Sequence, residues 1–61
     1  MLESDDVQMM LEEVRRQLVV MRSYLEMRVD MQDWHGVADA AADIRELIAK
    51  EQVLLEVLEV K

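Results

Sequence analysis

The only Trp, the only His and the only Gly of this 61-residue chain stand side by side as Trp34, His35 and Gly36, ahead of an alanine-rich run that reaches Arg45. An indole face can stack on a base or on a partner's side chain, and an imidazole at the start of a helix can move a proton or meet an anion. The architectural alternative has Trp34 closing the end of a helical core and His35 in water. A single His and no Cys cannot supply a zinc set, a disulfide or a thiolate nucleophile, so no metal and no cofactor are expected from these residues.

Carboxylates are the other chemically capable group. Glu12, Glu13, Asp39 and Asp43 resemble the paired acids with which all-α nucleotide pyrophosphohydrolases of the MazG kind hold Mg2+ between facing helices, and hard cations do take such oxygen ligands. That family pairs acids in ExxE and ExxD patterns. Here Glu12 and Glu13 are followed a turn later by Arg15 and Arg16, and Asp39 and Asp43 are also compatible with a solvated face. The resemblance would imply a metal-dependent pyrophosphohydrolase, and it stands as the third reading of function.

Arg15, Arg16, Arg22 and Arg28 gather positive charge in the first half of an otherwise acidic chain. Glu12 with Arg16, Arg22 with Glu26 and Glu46 with Lys50 are spaced to form i,i+4 pairs, each supporting a helix by roughly a few tenths of a kcal/mol. Arg15 and Arg22 lie seven apart on one face, where a neighbouring subunit's acids or a shared anion could meet them. Six Met residues supply a deformable apolar surface suited to partner helices, and core filling accounts for them equally well.

These groups need elements to position them, and the punctuation is sparse: no Pro and one Gly. Ser4 can cap a first helix, with Asp5 and Asp6 in its first turn, where negative charge meets the positive end of the helix dipole. Val7, Leu11, Val14, Leu18, Met21 and Leu25 then return at alternating intervals of four and three, a heptad seam on which Arg28 also falls. Met10, Val20, Tyr24, Met27 and Met31 flank that seam and widen the apolar surface beyond what one neighbour would cover. Asp33 can cap a second helix through the backbone N–H of His35 or Gly36. Val37, Ala41, Ile44, Ile48, Leu55 and Leu58 form the second helix's stripe, interrupted by Glu51. The segment from Val53 is apolar on nearly every side, and its β-branched residues leave a strand reading open.

The predicted fold is therefore all-α: one domain over the whole chain, with helix one at about 5–31, a corner at about 32–35 and helix two at about 36–60. The two helices form an antiparallel hairpin. Each hairpin would retain an unburied stripe larger than a monomer normally exposes, so the expected state is a homo-oligomer, a dimeric four-helix bundle first and a larger ring second. Val7, Leu11, Val14, Leu18, Met21, Leu25, Leu54, Leu55 and Leu58 are the candidate oligomer interface.

A net charge of −7 with 52% hydrophobic residues argues against disorder, and against nonspecific nucleic-acid or anionic-membrane binding, which need a positive footprint. No apolar run approaches the roughly 20 residues of a membrane-spanning helix, and the start MLESDD lacks the basic region of a secretory signal, so cytoplasmic residence is expected.

The run from Asp33 to Leu47 resembles a segment of small tailed-bacteriophage proteins of the form D-W-H-x-V-x-D-A-A-x-D-[LI]-R-E-L. That resemblance covers about a quarter of the chain and implies a phage protein made in the cytoplasm of a bacterial host, with no assigned activity. On that analogy the leading expectation is a non-enzymatic accessory protein, an oligomer that modulates a host or phage protein. The alternative is an oligomeric sponge that sequesters a nucleotide-type defence signal in pockets between subunits. Trp34, His35, Arg15, Arg22, Arg28 and Arg45 are the candidate contacts for either, the arginines meeting an anion and Trp34 stacking on a base.

Overall fold

Apolar side chains that return every three and four residues oblige each half of the chain to form a helix and bury one stripe of it. The computed structural model, which describes residues 4–59, has two such helices, α1 (Ser4–Asp30) and α2 (Trp34–Glu59). They pack as an antiparallel hairpin measuring 45 × 15 × 14 Å, the length expected of a helix of this size at about 1.5 Å per residue. The fold is the expected all-α hairpin. Asp5 and Asp6 lie in the first turn of α1, whose described span begins at Ser4. The segment from Val53 to Glu59 is helical, which removes the strand reading. The expected end of helix two at about residue 60 lies outside the described residues.

The α1 seam lies as its spacing requires. Val7 and Leu11 are almost wholly buried, Val14 joins them, and Leu18 and Met21 pack against the same cluster. These residues are spent on the hairpin's own core and not on the oligomer interface expected of them. The cover over Val7, Leu11 and Val14 is supplied by Leu47 and Leu54 of the same chain, with Leu58 beside them. The seam therefore closes the hairpin itself, and the surface left for another molecule lies on its flanks.

The inward stripe of α2 is also shifted by one residue. The expected line ran through Ala41, Ile48 and Leu55, whereas the structure buries Ala40, Leu47 and Leu54. These two lines are about 100° apart on the helix, and both are aliphatic, so composition does not choose between them. Nor does periodicity, since both lines return at intervals of three and four. Packing against α1 does, and the line it selects runs through Val37, Ala40, Ile44, Leu47, Glu51, Leu54 and Leu58. Glu51 sits inside it because its carboxylate reaches across to Arg15, with Arg15 Nε donating to Glu51 Oε2 at 3.0 Å.

The corner is tighter than expected. Met31, Gln32 and Asp33 make the whole turn, and Trp34 and His35 already belong to α2. Gln32 N–H donates to Val29 O at 2.9 Å and Asp33 N–H to Arg28 O at 2.9 Å. This is the paired bonding of a Schellman termination, which satisfies the last carbonyls of α1. It requires a left-handed residue, and Gln32 takes that position with φ 58°.

Candidate functional site

The corner is built on Asp33. Its Oδ1 accepts the backbone N–H of Gly36 at 3.1 Å, capping α2, and its Oδ2 accepts from Arg28 Nη1 at 3.0 Å. The Arg28 guanidinium also lies over the Tyr24 ring, 4.8 Å from its centroid, a favourable seat for a cation on an aromatic face. Gly36 makes room for the arrangement. A Cβ there would stand 2.5 Å from Asp33 Oδ2 and 2.9 Å from Arg28 Cδ. Sequence reasoning found the cap but not the ion pair; the signal was an arginine on the α1 seam five residues before the capping aspartate.

Trp34 projects away from this cluster and is 63% exposed. It does not close the hairpin core, because the last inward positions of α1 and the start of α2 are already occupied by Leu25, Arg28, Gly36 and Val37, all partly buried. His35 is solvated, its side chain 91% exposed, with Nε2 3.6 Å from Asp39 Oδ2. A stacking face is thus available at position 34.

The candidate arginines are scattered. Arg15 is tied to Glu51 and Arg28 to Asp33, both within the chain. Arg22 and Arg45 have no ion-pair partner among the described residues. The expected Glu12–Arg16 pair is replaced by Glu13–Arg16 at 2.6 Å, and Arg22–Glu26 and Glu46–Lys50 are not formed among the described residues. Bonds from Arg16 and then Gln17 hold the Glu13 carboxyl below the usual range, with the Arg16 charge adding to them. Glu12, Glu13, Asp39 and Asp43 do not gather into any group of three or more metal-capable side chains among the described residues, so the acid cluster of the pyrophosphohydrolase reading is not assembled.

Open grooves flank the seam on both sides. One is lined by Met10, Glu13, Gln17, Lys50 and Val53. Another is lined by Arg15, Val19, Arg22, Ile44 and Ile48. Exposed large apolar side chains line both, Met10 and Val53 in the first and Val19 and Ile48 in the second. The described residues form no helix long and apolar enough to cross a membrane. Comparison of the chain with known protein families, characterised proteins and solved structures finds no match.

Proposed function

We propose that this chain is a non-enzymatic binding module, a self-associating helical hairpin that offers an acidic, Met-rich face to a protein partner. The reading is supported above all by thirteen large hydrophobic side chains left exposed among the described residues of a chain whose net charge is −7. Exposed apolar surface of that extent is a liability unless something covers it, and the surrounding acids favour a partner with a basic rim. On this proposal the partner is a host or phage protein of an infected bacterial cytoplasm, a reading that rests on the resemblance of residues 33–47 to small phage proteins.

Light scattering across micromolar concentrations tests the self-association, and a compact monomer throughout would reject it. Capture from infected-cell lysate, followed by titration of the recovered protein against Met27→Glu, tests the face: the substitution should abolish binding. The nucleotide-sequestering reading keeps Arg22 and Arg45 as unpaired cations. Calorimetry against nucleotides and cyclic dinucleotides decides it, and absence of heat across the panel removes it.

A further inference from the structure

Helix α2 closes against α1 through Leu47 and Leu54 and carries a second apolar line, in which Trp34, Ala41, Ile48 and Leu55 return every seven residues. Ile48 is 41% and Leu55 36% exposed. A helix with one neighbour needs one apolar stripe, and a helix with two needs two. The groove between this second line and α1 is lined by Leu18, Val19, Ile44 and Ile48, and its charged members are Arg15, Arg22 and Glu51. We propose that this groove docks an acidic amphipathic helix of another protein, which lies along the hairpin as the third member of a three-helix bundle. The site is separate from the acidic face proposed above and does not rest on self-association.

The charge left over in the groove identifies its occupant. Arg15 is answered by Glu51 at 3.0 Å. Arg22 has no ion-pair partner among the described residues, Glu26 four residues on included. Seven residues on from Arg15 and seven back from Glu51, each about 10 Å along the axis, Arg22 stands level with Ile44. The residue after Ile44 is Arg45, which also lacks an ion-pair partner among the described residues. By register Arg22 borders the groove on the α1 side and Arg45 lies beyond the Ile48 line on α2. Two unanswered guanidiniums thus flank an apolar strip on a chain whose net charge is −7. The grooves of the other flank set Glu13 against Lys50, and Glu13 and Asp43 against Arg16, with no surplus of cation in either.

Shape makes the occupant a helix. The walls are two antiparallel helices whose apolar positions repeat every three, four or seven residues, the spacing at which a third helix presents its own stripe. Carboxylates on both edges of that stripe would meet Arg22 on one side and Arg45 on the other. A nucleotide or a nucleic acid offers the negative charge without the stripe, and leaves Val19, Ile48 and Leu55 in water.

The test uses two synthetic peptides of about 20 residues, long enough to form a helix alone, that share one leucine stripe bordered by Glu in the first and by Lys in the second. Calorimetry should show the Glu peptide binding the unaltered chain with Kd on the order of 10 μM. Arg22→Glu should weaken it about tenfold or more, and Ile48→Gln by a similar factor. Val53→Gln, in a groove of the other flank, should change it less than about twofold. Net charge alone predicts that the Lys peptide binds and the Glu peptide does not, so binding of the Glu peptide that depends on Arg22 has its origin in this groove.

If Ile48→Gln loses its helical circular dichroism, Arg22→Glu decides alone, since Arg22 is exposed and lies outside the core. No heat with the Glu peptide, or binding that survives Arg22→Glu, or binding that Val53→Gln weakens in place of Ile48→Gln, overturns the proposal. So does a fall in sedimenting mass on going from the unaltered chain to Arg22→Glu or Ile48→Gln, because a second copy would then be what covers the groove. A chain that sediments as a monomer at every concentration and still binds the Glu peptide through Arg22 rejects the self-association proposed above and leaves this site standing.

Discussion

Arg28 in the last turn of α1 and Asp33 at the start of α2 share an ion pair at 3.0 Å that ties the two helices across a corner of three residues. Each charge also sits where its own helix favours it, the cation at a C-terminus and the anion at an N-terminus. Asp33 does this while capping Gly36, so one carboxylate stabilises the end of one helix and the beginning of the next. Arg28 is positioned as well by the Tyr24 ring beneath it, although its Nε is buried without a hydrogen-bond partner. The group is therefore placed by its neighbours on two sides and leaves little space at position 36.

That crowding predicts a reversal of sign. Replacing a helical glycine by alanine ordinarily stabilises by about 1 kcal/mol. At position 36 the added methyl would meet Asp33 Oδ2 at 2.5 Å and Arg28 Cδ at 2.9 Å, displacing both the cap and the ion pair, which together outweigh that gain by about 1 kcal/mol. Gly36→Ala should lower stability in urea denaturation, while the same change on an Asp33→Ala background should raise it. Equal effects in the two backgrounds would mean that the glycine and the aspartate act independently.

Gln32 predicts a gain. It holds the left-handed position of the α1 termination with φ 58°, a conformation that costs a side-chain-bearing residue about 1–2 kcal/mol and glycine almost nothing. Glycine loses part of that advantage through its freer unfolded state, so Gln32→Gly should stabilise by about 0.5–1 kcal/mol and raise Tm by a few degrees, within the roughly 4–8 °C per kcal/mol typical of such small domains. Thermal melts at fixed concentration measure it, and a lowered Tm would show that the Gln32 side chain makes contacts that outweigh its backbone strain.

These two positions show how far residue types alone specify this fold. The α1 seam from Val7 to Leu25 was legible because its three-four repeat is unbroken and its outer positions are mostly polar. Asp33 was legible as a cap because the only glycine follows it at the expected distance. The inward line of α2 was not, since Ala40, Leu47, Leu54 and Ala41, Ile48, Leu55 are equally apolar and only packing against α1 distinguishes them. Gln32 was illegible for a different reason: the left-handed site normally announces itself with glycine or asparagine, and here it does not. The exposure of Trp34 was left open by composition, because an indole beside a corner can fold inward or outward with the same neighbours in sequence.

Trp34 separates architecture from recognition. A tryptophan that closes a core costs about 3–5 kcal/mol when truncated to alanine, whereas an exposed one costs less than about 0.5 kcal/mol. With the ring 63% exposed, Trp34→Ala should leave the urea midpoint nearly unchanged, and the fluorescence of the unaltered hairpin should resemble that of a solvated indole and be readily quenched by iodide. A large loss of stability would return Trp34 to the core. If the midpoint holds, any loss of partner binding in this variant reports contact with the partner, where a tryptophan anchor can contribute 2 kcal/mol or more, roughly.

Glu13 links the exposed face of α1 to pH. Hydrogen bonds from Arg16 and Gln17, followed by the charge of Arg16, lower its folded-state value below that of the unfolded chain. The sign follows from linkage: the contribution of this carboxylate to stability is complete above its unfolded value and disappears as pH falls through the lowered folded one. Because the group is fully in water, the effect on global stability is screened and small, so a site-resolved measurement is the right one. Carboxyl-carbon NMR should place the Glu13 midpoint below the ordinary glutamate range, with Arg16→Ala moving it upward and Gln17→Ala moving it less. A midpoint indifferent to Arg16→Ala would mean that the 2.6 Å pair does not persist in solution, and that Arg16 is as available as Arg22 and Arg45 to acids on another molecule.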